Sequence, residues 1–155
     1  GVEVVADDLP AAGPRGGIAT GLRRAGAIPA LVVAGDMPFL NGGLLGYLLG
    51  LAPGWDAVAP RLADGRLQPL HAVYDPGCLP VMERHLTGGQ RAAWRVLAEV
   101  RTRLVGAEEC RALDPEMLSF FSLDTPEDLR RAEEVAGRSA ATPRRGTPAT
   151  PGRTR

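Results

Sequence analysis

Apolar positions along the chain come in short blocks that switch between a strand-like and a helix-like period. Residues 2–6 (Val-Glu-Val-Val-Ala) are a β-branched run that stops at Asp7-Asp8-Leu9-Pro10, which predicts a first strand. A glycine-rich turn at 13–17 then opens into a stretch where Ile18, Leu22 and Ala25 share one helical face, with Gly26 placed to close it. Residues 30–34 are apolar at every position, the pattern of a central parallel strand covered on both faces. They end at Gly35-Asp36-Met37-Pro38, after which Asn41 is suited to cap a helix reaching Gly50.

Residues 55–60 predict another strand, Asp64-Gly65 a turn, and 67–74 a returning strand, a hairpin-like excursion ended by Asp75-Pro76-Gly77. Helices are expected at 78–87 and 90–99, the second with Ala93, Trp94, Leu97 and Val100 as its apolar face. Strands at 102–106 and 119–123 follow. Thr125-Pro126-Glu127-Asp128 then starts a last helix, with Thr125 as cap, proline at the first helical position and acids in the first turn, ending near Gly137. Strands alternating with helices predict an α/β fold with a mainly parallel sheet.

Length and composition sharpen this picture. A chain of 155 residues that is 45% hydrophobic is of one-domain size with material for a core. Residues 1–137 carry 13 Arg against all 18 acidic residues, whereas 138–155 carry five Arg, no acid and no large apolar side chain. The expected organisation is therefore a domain over 1–137 and a disordered Arg/Thr/Pro-rich tail over 138–155, since that tail buries too little to offset its ordering entropy. Five dispersed arginines read as a solvated tail rather than a nucleic-acid contact. No apolar run approaches the roughly 20 residues of a membrane span, and no basic-then-apolar leader opens the chain, so a soluble cytoplasmic protein is expected. All 18 basic residues are Arg, which excludes any mechanism completed by a lysine of this chain. Cys78 and Cys110 have no partner at metal-ligand spacing and read as reduced thiols.

Four places carry candidate chemistry. Asp36 stands just past the carboxyl end of an apolar strand, where open α/β sheets bind ligands, and magnesium takes such a carboxylate together with substrate phosphates. The same Asp equally fits a cap for the next helix. Gly13, Pro14 and Gly17 open a helix whose N–H groups suit an anion or a base edge, or simply make a tight turn. Asp7 and Asp8 end the first strand and face either a ribose or water. Ser122-Leu123-Asp124 precedes the Thr125 cap, with Asp124 aimed from a strand end. His71 and His85 read as structural or surface residues, and Trp55 and Trp94 as core or partly buried packing residues.

Taken in order, these pieces resemble the molybdenum cofactor guanylyltransferases, the MobA-like nucleotidyltransferase family. The match includes Val-Val-Ala-Asp at 4–7, Gly-Pro-Arg-Gly-Gly-Ile at 13–18 and Gly-Asp-Met-Pro-Phe-Leu at 35–40. It continues with Ala-Val-Ala-Pro at 57–60, Gln-Pro-Leu-His-Ala-Val-Tyr at 68–74 and Asp-Thr-Pro-Glu-Asp-Leu at 124–129. The resemblance implies a three-layer Rossmann-like nucleotidyltransferase fold using GTP, Mg²⁺ and molybdenum-bound molybdopterin, with molybdoenzymes or cofactor-biosynthesis proteins as partners. It implies Asp36 as the catalytic metal ligand, and Asp7, Gly13, Pro14 and Gly17 on the nucleotide. Gln68, Pro69, Ser122 and Asp124 fall on the pterin side, with Asp124 an additional carboxylate for the metal.

The family's opening strand and glycine-rich loop with Arg and Lys have no match in the chain, and the Gly1 start is read as placing them upstream. Without that strand an exposed sheet edge is expected. Where the family carries two Asn before Thr-Pro-Glu-Asp-Leu, this chain has Ser122 and Asp124, the latter as in cytidylyl-transferring relatives. CTP, another phosphorylated acceptor, or an inactive fragment are the alternatives.

Overall fold

The computed structural model describes residues 4–7, 13–89 and 92–141. The chain divides into two compact units, residues 1–121 and 122–155. In the first, the elements follow the order α1 (Pro14–Ala25), β1 (Ala30–Val33), α2 (Gly42–Gly50), β2 (Ala57–Arg61), β3 (His71–Tyr74), α3 (Leu79–Thr87), α4 (Trp94–Glu99), β4 (Thr102–Gly106) and α5 (Ala107–Leu113). The second contains α6 (Pro126–Ala141).

The four strands form one sheet in the order β1-β3-β2-β4. β3 runs antiparallel to both β1 and β2, and β4 runs parallel to β2. Three of the four strands therefore point the same way, with β3 reversed between two of them. Where a mainly parallel sheet is expected, the four strands form a mixed one, since two of the three pairings, both through β3 of the hairpin-like excursion, are antiparallel.

Alternation along the strands sorts the core onto two faces. Ala57, Ala59, Ala72 and Tyr74 meet Ile18 and Leu22 of α1, Met82 of α3, and Val96 and Leu97 of α4. Val58, Val73 and Val105 meet Leu44 and Leu48 of α2 and Cys110 of α5 on the other side. Helices on both faces of one sheet give the three layers. Cys78 and Cys110 are free, buried thiols, and burial pushes them up to about 12 and about 11. Neither is available as a thiolate near neutral pH.

Several expectations are corrected. Residues 4–7 form no strand, and the rest of the run at 2–6 lies outside the described residues, as does Asp8. A strand needs a ladder, and 4–7 pair with nothing in the sheet. β1 is not central but stands at the edge of the four strands, with Val33 36% exposed. The returning strand is shorter than 67–74: the chain turns at Pro69 and Leu70, and only Leu67 bridges back to Arg61.

No strand forms at 119–123 either. Met117 adopts a left-handed backbone (φ 55°), and Leu118–Phe120 closes into a 3-10 turn whose Ser119 N–H donates to Asp114 Oδ2 at 2.8 Å. A local side-chain acceptor there takes the N–H a ladder would need. α5 was not anticipated, although Gly106 followed by two acids and a late Arg111 is a helix signature. In the second unit, Thr125 caps α6 as expected, its Oγ1 accepting from Asp128 N–H at 3.2 Å. The helix continues past Gly137 to Ala141. Residues 142–155 lie outside the described residues.

Candidate functional site

The carboxyl ends of β1, β2 and β4 and the amino end of β3 lie at one edge of the sheet, because Val33 pairs with His71 and Arg61 with Gly106. Ligands in open α/β sheets bind at that edge. Asp36 follows β1 there. It is exposed, and among the described residues its carboxylate has no hydrogen-bond or ion-pair partner.

Its setting is fixed on both sides. Ala34 N–H donates to the Leu70 carbonyl at 2.9 Å, which ties the β1 exit to the segment carrying Gln68 and Pro69. Gln68 N–H donates to the Pro60 carbonyl at 3.0 Å, and the Pro69 carbonyl accepts from the buried Tyr74 hydroxyl at 2.8 Å. Downstream, Asn41 caps α2 by accepting from Leu44 N–H at 3.0 Å, so Asp36 does not serve as that cap. Asn41 also donates from its backbone to Ser119 Oγ at 3.1 Å and from its amide to the Leu113 carbonyl at 3.0 Å. Phe39 packs against Phe121 with ring centroids 6.0 Å apart. The acidic exit of β1 is thus held between two anchored neighbours.

α1 is joined to β1 through residues 26–29 and packs on it, so its N-terminus returns towards the same edge. Gly13 caps it at φ 64° and ψ −157°, a backbone conformation essentially confined to glycine. Among the described residues no side-chain hydrogen bond caps this end. A Cβ added to Gly17 would lie 3.5 Å from Asp7 Oδ1, so Asp7, Gly13, Pro14 and Gly17 form one cluster. Ser122, half-buried, and Asp124, exposed, belong to the second unit.

His71 opens β3 opposite Val33, at the same end of the sheet. It is fully buried, neither ring nitrogen has a partner, and its ring sits 4.9 Å from that of Phe120. Desolvation holds it below the ordinary 6.5, against the opposing pull of Asp114. A ring neutral in the folded state but free to protonate when unfolded means the unfolded chain binds more protons as pH falls. The contribution of the neutral ring is complete above the ordinary value and is lost as pH drops through it. Denaturant midpoints taken from about pH 7.5 to about pH 5.5 should therefore fall more steeply for the natural chain than for His71→Phe. Parallel curves would refute this.

Two cavities open along the same edge. One of about 650 Å³ is lined by Gly65, Arg66, Leu67, Gln68 and Trp94. Its neighbour, about 390 Å³, is lined by Arg61, Leu62, Ala63, Gly65, Gly106 and Ala107. Trp94, expected on the buried face of α4, is 48% exposed. Ala93, Val96, Leu97 and Val100 fill the i, i+3, i+4, i+7 stripe, and Trp94 is out of phase with it. Phase was the signal that would have found it. Trp55, also 40% exposed, lines a third cavity of about 270 Å³ with Pro29 and Asp75 at the opposite end of the sheet.

Among the described residues no three His, Cys, Asp or Glu side chains gather as a metal cage, and no helix is long and apolar enough to cross a membrane.

Residues 1–104 match the family profile of the MobA-like NTP transferase domain. A molybdenum cofactor guanylyltransferase of Desulfosudis oleivorans is 38% identical over 125 residues, which is 79% of this chain and 61% of that one. The crystal structure of molybdopterin-guanine dinucleotide biosynthesis protein A from Archaeoglobus fulgidus superposes with a TM-score of 0.77 at 32% identity. That match covers 86% of this chain and 68% of the other. A structure from Aquifex aeolicus, 21% identical with a TM-score of 0.65, shares the fold and covers 79% of this chain and 62% of its own. The chain thus spans about two-thirds of the length of the relatives it matches.

Proposed function

The chain belongs to the MobA-like NTP transferase domain family, and on that premise we propose that it serves the transfer of GMP from GTP to molybdenum-bound molybdopterin. The products are the guanine dinucleotide form of the cofactor and pyrophosphate. The terminal phosphate oxygen of molybdopterin attacks the α-phosphorus of GTP in line, and the bond from that phosphorus to the departing pyrophosphate breaks.

The observation that carries this reading is the unpartnered Asp36 carboxylate at the exit of β1, tied through Ala34 and Leu70 to the segment bearing Gln68 and Pro69. An exposed carboxylate with no competing cation fits Mg²⁺, which takes one or two carboxylates plus substrate phosphates rather than an all-protein cage. When bound, Mg²⁺ supplies Lewis acidity and a template for the phosphates. The chain's own residues supply position. The N-terminus of α1, where Gly13 shapes the turn, Pro14 sets the first helical residue and Gly17 leaves room beside Asp7, offers main-chain N–H groups to the nucleotide. Asp7 beside them accepts from its ribose or base. Gln68 and Pro69 lie on the acceptor side. Such a reaction depends on orientation and charge neutralisation more than on a protein nucleophile.

The test is pyrophosphate release by the full-length protein with GTP, CTP, ATP or UTP, each with and without Mg²⁺ and the molybdopterin acceptor. Release is expected only from GTP, with both present. A preference for CTP would overturn the base assignment, and release that ignores the acceptor would overturn transfer.

A further inference from the structure

We propose that Trp94 is the stacking platform for the fused bicyclic ring of the acceptor, within the 650 Å³ cavity that it shares with Gln68 and Arg66. The inference deepens the functional reading above and rests on it for the identity of the ring as a pterin.

Three observations carry it. First, Trp94 opens α4 out of phase with the buried stripe and keeps 48% of its surface exposed, although its ring is among the largest apolar surfaces in the chain. A half-exposed indole in the wall of a cavity is an available π-surface rather than part of the core. Second, the Arg95 guanidinium lies over the same indole, 5.3 Å from the ring centroid, which covers one face with charge and leaves the other for a flat ring. Third, the Gln68 side-chain amide has no hydrogen-bond partner among the described residues, while its backbone is pinned to Pro60. A primary amide presents a donor and an acceptor side by side. That pair complements the ring N–H and the neighbouring oxo group of a 2-amino-4-oxopyrimidine ring, the amide oxygen accepting from the first and the amide NH₂ donating to the second.

Guanine carries the same edge. Position separates the two sources. The glycine cluster at the start of α1 is beside β1, whereas this cavity follows the carboxyl end of β2, with β3 in between. The nucleotide is assigned to the first place, which leaves the second to the pterin. Arg66, whose Nε donates to Asp64 at 2.6 Å, lines the same cavity.

Isothermal titration of the full-length protein with 6-carboxypterin as probe reads the proposal directly. Saturable binding is expected, weakened on the order of 10-fold in Trp94→Ala and retained within about 3-fold in Trp94→Phe, which keeps a ring. Binding of GTP with Mg²⁺ should be unchanged in both variants. No saturable pterin binding, equal affinity in Trp94→Ala, or loss of GTP binding instead would each overturn the assignment. Circular dichroism of Trp94→Ala guards against misfolding, and Trp94→Phe keeps the test decisive if the alanine variant fails to fold. The nucleotide panel separates the two conclusions. Guanylyl transfer with an unchanged acceptor KM in Trp94→Ala removes the platform and leaves the reaction. Ring-dependent pterin binding without GTP consumption keeps the platform and removes the reaction.

Discussion

Asp36→Ala should lower guanylyl transfer by at least about 100-fold while leaving the denaturant midpoint nearly unchanged, within about 0.5 kcal/mol of stability. The two halves of this expectation come from the same fact. The carboxylate is exposed and makes no hydrogen bond or ion pair among the described residues, so its removal breaks no structural contact. The helix that follows is capped by Asn41, not by Asp36. A loss of turnover therefore reports the charge itself. Asp36→Asn keeps the size and removes the charge, and should raise the Mg²⁺ concentration needed for half-maximal rate, since magnesium favours charged oxygen ligands. Turnover by Asp36→Ala at the natural rate, under the same Mg²⁺, would take this residue out of the mechanism.

Local signals translated into the structure wherever one principle settled the matter. Gly13 and Pro14 start α1, Asn41 caps α2, and Thr125 with Pro126 starts α6, because each pairs a specific backbone need with a residue type that meets it. Strand existence was legible at β1 and β2 from apolar runs, and at β4 from a short segment around Leu104 and Val105. Strand neighbours were not. The all-apolar run at 30–34 reads as central, yet among the described residues it has one partner, β3. Burial by helices on both faces and pairing on both edges leave the same mark on a sequence, so an apolar run reports the first without deciding the second. The expected strand at 119–123 failed for a different reason. Apolar residues there pack as a 3-10 turn, with Phe120 over His71 and Phe121 on Phe39, fixed by Asp114 and a left-handed Met117. No period distinguishes such a turn from a short strand.

The site was partly legible. The position of Asp36 after an apolar strand is a rule of α/β sheets and needs only the order of elements. Its proximity to Gln68 and Pro69 depends on β3 lying reversed against β1, which brings Leu70 to Ala34, and nothing within either segment announces that pairing. The exposure of Trp94 was readable in principle, because 93, 96, 97 and 100 already complete a buried stripe and leave position 94 outside it. Hydrophobicity alone placed the indole inside; helical phase places it outside.

The second large effect is on stability. Leu48→Ala should cost about 3 kcal/mol, while Leu49→Ala, one residue on, should cost well under about 1 kcal/mol. Both residues lie on α2, and both lose the same atoms. Leu48 is fully buried among Val58, Val73, Val105 and Cys110, where sheet and helix close around it. Leu49 is 42% exposed and borders the cavity at the far end of the sheet. At Leu48 the neighbours sit on a hydrogen-bonded sheet and relax little, so lost transfer energy adds to an unfilled cavity. The midpoint of chemical denaturation should fall without a change in its slope, and thermal unfolding should drop by about 10 °C. Because α2 follows directly from the Asp36–Asn41 loop, a loosened Leu48 should also weaken the hold on the β1 exit, so turnover at fixed temperature should fall in Leu48→Ala before the chain unfolds. Equal destabilisation by the two substitutions would mean that α2 does not present Leu48 to the sheet, and the anchoring of Asp36 through that helix would fall with it.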